Sequence, residues 1–95
     1  MQVAQRIDAK LRAGLAPHLV DIVDESHKHA GHMGARPEGE THFRVLVVAD
    51  AFAGQSRVAR QRLVFDVLAE ELAGPVHALA LRTLTPEEHA AAASD

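Results

Sequence analysis

A chain of 95 residues can bury one modest hydrophobic core and leaves no room for a separate catalytic domain, and 47% apolar with 24% charged residues marks it as folding rather than disordered. The absence of cysteine excludes a disulfide framework and any thiolate metal site made by this chain alone. A net charge of −3, with three Phe and no Tyr or Trp, argues against coating nucleic acid by bulk attraction and against a base-stacking platform.

Val3, Ile7, Leu11 and Leu15 recur every four residues, which predicts an amphipathic helix over 3–15. Gly14 weakens its last turn and Pro17 stops it. Leu19, Val20, Ile22 and Val23 predict a strand over 18–25. Residues 26–39 hold three glycines and a proline without apolar periodicity, so they read as a long irregular loop of the kind that carries function in small domains. A second strand is expected over 41–49, apolar on both faces and therefore central. After a turn at 50–55, Ser56 is the expected N-cap of a helix running to about residue 72. Gly74 and Pro75 end it, a third strand follows over 76–84, and Thr85-Pro86-Glu87-Glu88 opens a last helix whose alanine-rich end is expected to fray. The second strand, second helix and third strand form a βαβ unit, so those strands should be parallel, while the first two pair as a long-looped hairpin. The expectation is a single α+β domain of two layers over 1–95, with a core at 3–88 and a tail at 89–95. Its helices should cover one face of a three-stranded mixed sheet.

Four of the seven histidines fall between residues 24 and 48: His27, His29 and His32 within the loop, and His42 where it re-enters the sheet. Several imidazoles on a glycine-bounded loop can converge on one metal ion. The plainer alternative is exposed histidines that bind nothing. His77 opens an otherwise apolar strand, where its ring needs either the strand's mouth or a hydrogen-bond partner. His18 and His89 read as surface residues. Arg57, Arg60 and Arg62 crowd the first turns of the second helix, against its dipole, which points to an anionic ligand that offsets them; the plainer alternatives are a solvated face or pairing with the carboxylates of Asp50 and Asp66. Gly31-His32-Met33-Gly34 spells the GxxG of nucleic-acid-binding KH domains, but that motif must join two helices and here it falls between strands. No HExxH, Walker glycine loop or nucleophile elbow is present, so the chain does not read as an enzyme. No apolar stretch approaches membrane-spanning length and the N-terminus has no signal-peptide core, which leaves a cytoplasmic protein with no membrane partner as the expectation.

The succession DESHKHAGH, GETHFRVLVV, F-x-G-x-S-x-V-x-R-Q-R and EEL-x-G-x-VHALAL-x-T-x-TP-x-E closely resembles the BolA family over about residues 7–88. The resemblance implies a class II KH-like fold, in agreement with the element order above. It also implies a partner, a monothiol glutaredoxin, with which such proteins share a [2Fe-2S] cluster held in part by glutathione, the isolated chain being a cluster-free monomer. By that resemblance the ligands are His77 and a loop histidine, with His29 the better match and His32 its competitor. Some bacterial members are described as DNA-binding transcription regulators; for that reading the corresponding residues are Gly54, Ser56, Arg57, Arg60 and Arg62.

Overall fold

The computed structural model describes residues 2–25 and 41–93. Val3, Ile7, Leu11 and Leu15 are the buried residues of α1 (Gln2–Leu15), so the four-residue spacing decides which stripe faces the sheet. The helix ends at Ala16, which takes a left-handed conformation (φ 45°) and donates its N–H to the Arg12 carbonyl before Pro17 redirects the chain. β1 (Leu19–Asp24) then pairs antiparallel with β2 (His42–Val48), with Leu19 opposite Val48 and Asp24 opposite Phe43. A 3₁₀ turn at Asp50–Phe52 and Gly54, at φ 75°, lead to α2 (Arg57–Val67), where the Ser56 hydroxyl accepts from the Ala59 N–H as the expected cap.

The predicted second helix is in fact two. Leu68 leaves helical geometry (φ −102°, ψ 19°) between α2 and the short α3 (Ala69–Ala73). Val64, Leu68 and Glu71 keep the spacing of a single helical face across the break, and all three are buried. No glycine or proline marks it, so local propensity could not show it. β3 begins at Ala78, two residues later than expected, and runs to Leu84 parallel to β2, with His42 opposite Ala78 and Val48 opposite Leu84. The sheet order β1-β2-β3 puts β2 in the centre as predicted. α4 (Pro86–Ala93) stays helical well into the alanine-rich segment expected to fray. Its start is a capping box: the Thr85 hydroxyl accepts from the Glu88 N–H, and a Glu88 carboxylate oxygen accepts from the Thr85 N–H at 2.8 Å.

Phe43, Val45 and Val47 face the helices and join Ile7, Leu11, Phe52, Val64 and Leu68 in one core, the two-layer arrangement the sequence predicts. One charge lies inside it. Burial pushes the Glu71 carboxyl up, but hydrogen bonds from Lys10 and Arg6 of α1 outweigh that and hold it below the ordinary carboxylate range. The pairing latches α1 to α3. No helix among the described residues is long and apolar enough to cross a membrane.

Candidate ligand site at the mouth of the parallel strands

Because β2 and β3 run parallel, the residues that open them lie at the same end of the sheet. His77, immediately before β3, is exposed there, and its ring stacks on that of His42, the first residue of β2, with centroids 6.1 Å apart and planes 14° from parallel. Thr41 fixes this corner. Its buried carbonyl accepts from the N–H groups of both His77 (2.7 Å) and Ala78 (3.2 Å), and its hydroxyl lies 2.7 Å from His42 Nδ1. On the other side the Glu25 N–H donates to the His42 carbonyl at 2.7 Å, and the Glu25 carboxylate pairs with Arg44. Residues 25 and 41 therefore both sit at this corner.

His29 and His32, the ligand candidates in residues 26–40, lie outside the described residues. His29 is four residues past Glu25, within about 14 Å of chain contour. Sequence reasoning put His77 at the mouth but did not pair it with His42, although the parallel register carries that pairing. Imidazoles bind metals such as iron and zinc through a ring nitrogen at about 2.0–2.1 Å. Here the rings stack instead of converging, so joint ligation needs one ring to rotate. Among the described residues no three His, Asp or Glu side chains gather at one point, so of those residues only His77 and His42 are available here, which suits a metal whose other ligands come from elsewhere. That donor set fits one histidine-ligated iron of a shared iron–sulfur cluster.

The second candidate patch divides. Arg60 is turned inward, its side chain 13% exposed, and donates to both oxygens of Glu88 and to the carbonyls of Gln55 and Thr83, with its guanidinium 6.0 Å from the Phe52 ring centre. That contact draws the Glu88 carboxyl down to about 2. The anion that offsets this arginine is thus Glu88, not Asp50 or Asp66 as the sequence suggested; Asp50 instead lies 3.1 Å from His18 Nε2. Arg57 and Arg62 remain exposed and have no carboxylate partner among the described residues. Ser56 is occupied as the helix cap, and Gly54 makes the preceding turn. A KH-type phosphate clamp needs its glycines between two helices. Two junctions join helical elements here: residues 53–56, between the 3₁₀ turn and α2, hold the single glycine Gly54, and Val67-Leu68-Ala69-Glu70, between α2 and α3, holds none, so neither supplies the paired glycines of that clamp.

The chain matches the model of the BolA-like protein family over residues 11–88. It is 43% identical over 88 residues to the DNA-binding transcriptional regulator BolA of Escherichia coli, covering 93% of this chain and 80% of that protein. To mouse BolA-like protein 1 the identity is 48% over 86 residues, 90% of this chain and 60% of the relative. Among solved structures, the BolA domain of SufE1 from Arabidopsis thaliana superposes with a TM-score of 0.79 at 44% identity, covering 88% of this chain and 92% of that domain. The helix-hairpin-helix-strand order, the central β2 and the sequence match agree, and the chain belongs to the BolA-like protein family.

Proposed function

We propose that this protein is a non-enzymatic adaptor that docks a monothiol glutaredoxin and shares with it a [2Fe-2S] cluster, which it co-ligates or passes on. The observation that carries this reading is the exposed His77 ring stacked on His42 at the corner where residues 25 and 41 meet. His77 supplies one imidazole. The second comes from the adjoining segment, His29 first and His32 next, or from His42 by rotation of its ring. A cysteine-free chain needs thiolates from outside, and the glutaredoxin cysteine with glutathione meets that need.

The test is visible absorption and circular dichroism of the chain mixed with cluster-loaded monothiol glutaredoxin. Mixing should reshape the cluster's bands. His77→Ala should abolish that change while leaving the far-ultraviolet spectrum of the fold intact, and His29→Ala should act likewise. Bands identical for the wild type and His77→Ala would remove His77 from the ligand set and sink the reading.

DNA contact is the second reading, favoured by the Escherichia coli relative, a DNA-binding transcriptional regulator, and by Arg57 and Arg62, which are exposed and have no carboxylate partner among the described residues. The acidic net charge and the lone glycine of the 52–56 turn rank it lower. Binding that depends on Arg57 and Arg62 and collapses with salt fits contact to phosphates alone, whereas sequence-specific binding at physiological salt would reverse the ranking.

A further inference from the structure

β3 is one of the two outer strands of the sheet, and its hydrogen-bond phase follows from its two ends. The Ala78 N–H donates to the Thr41 carbonyl, and the Leu84 carbonyl accepts from the Ala49 N–H at 3.0 Å. In a parallel ladder each residue turns both main-chain groups to one side, and the side alternates along the strand. Ala78, Ala80, Arg82 and Leu84 therefore address β2, and Leu79, Leu81 and Thr83 address the outside. Of these outward groups, the Thr83 carbonyl is closed by Arg60 at 3.2 Å, while the main chain of Leu79 and Leu81 meets no partner among the described residues. An uncapped strand edge of this kind is a template for another strand.

A groove of about 740 Å³ runs along the same rim, lined by Leu81, Arg82, Thr83 and Leu84 on the strand and by Gln55, Arg57 and Arg60 on the helix side; Glu88 also lines it, its charge taken up by Arg60. Leu81 and Thr83 stand opposite Val45 and Val47 and so share the helix-covered face; Arg82, opposite Leu46, stands on the other. Arg57 belongs to the helix layer. The free edge is thus flanked by one exposed arginine on each face, and neither has a carboxylate partner among the described residues.

We propose that the outer edge of β3 docks an acidic extended segment of a partner protein by strand addition. Main-chain pairing at Leu79 and Leu81 supplies the ladder. Because successive side chains of an added strand point to opposite faces, two adjacent acidic residues meet Arg82 on one face and Arg57 on the other. A second copy of this chain is a poor occupant, because antiparallel pairing of two β3 edges puts both Arg82 side chains on one sheet face and brings no acidic strand residue to meet them. The groove lies at the far end of β3 from His77, so this inference is independent of the cluster reading.

The probe is a short capped peptide of valine and paired glutamates, titrated into the isotopically labelled full chain and followed through its amide resonances. Shifts should concentrate at Leu79, Leu81 and Thr83. The same peptide methylated on alternate backbone nitrogens keeps its charge but cannot form the ladder, and it should lose binding. Arg57→Glu with Arg82→Glu should weaken the unmodified peptide roughly tenfold or more. Absence of shifts at millimolar peptide, or equal binding of the methylated peptide, overturns the proposal. So does a short DNA duplex that displaces the peptide from these amides at physiological salt, which would assign the rim to nucleic acid.

Discussion

Gly14 of α1 is a position where the ordinary rule for helices should fail. Replacing an interior helical glycine by alanine normally stabilises a protein by about 0.5–1 kcal/mol through lost backbone entropy in the unfolded chain. Here α1 crosses α2 at that point, and a Cβ on Gly14 would lie 2.9 Å from one methyl of Val67 and 3.4 Å from the other. Carbon atoms pack best at about 3.5–4.0 Å. Valine on a helix has essentially one χ1 well and cannot swing aside, so the helices must part or the valine must strain, at about 1–3 kcal/mol. The net expectation for Gly14→Ala is a loss of about 0.5–2 kcal/mol. In a Val67→Ala background the obstruction is gone and the same substitution should become stabilising by about 0.5–1 kcal/mol. Urea unfolding followed by far-ultraviolet circular dichroism on the four proteins of this cycle measures the coupling. Gly14→Ala raising stability as much in the wild type as beside Val67→Ala would refute the close-packing argument.

Ala16, at φ 45°, occupies the left-handed position that glycine usually fills, so Ala16→Gly should gain about 1 kcal/mol, read as a thermal midpoint higher by about 4–8 °C. Glu88 and Glu71 both have carboxyl pKa values below the unfolded value, so each contributes stability that is present above about pH 4.5 and is lost on acidification, for Glu88 down to about pH 2. Arg60→Ala should make that loss shallower over this window, and an unchanged acid profile would mean solvent already screens the pair. Removing both Lys10 and Arg6 should leave burial, the largest single influence on Glu71, opposed only by a backbone hydrogen bond, which should raise its pKa; stability should then decline as pH rises above about 4.5, the reverse of the wild type. In the cluster assay, His42→Ala separates the two roles open to its ring: a change as deep as that of His77→Ala makes it a ligand, and a small shift in band position makes it a stacking neighbour.

The parts of the fold carried by periodicity were legible before any coordinates. The α1 stripe, the doubly apolar β2 and the Thr85-Pro86 start of α4 each declare themselves in adjacent residues. What escaped depends on distant contacts. The break at Leu68 carries no glycine or proline to announce it, the pairing of Arg60 with Glu88 spans 28 positions, and Gly14 looks like a weak helical residue until Val67 is placed against it. For the candidate site, His77 was visible as a polar ring opening an apolar strand. Its neighbour His42 and the flanking Arg82 follow only from the parallel register, which no local pattern encodes.

The doubly accepting carbonyl of Thr41 gives this protein a built-in antenna. Thr41 is the last residue before β2, so any pull on the preceding segment is delivered first to its peptide plane, and the amide protons of His77 and Ala78 are both aimed at that oxygen. Their resonances, and above all their rates of exchange with solvent, sense a tilt of that plane even when the molecule causing it touches neither residue. Two backbone signals can thus register when something seizes the segment between β1 and β2, without a label or a colour change.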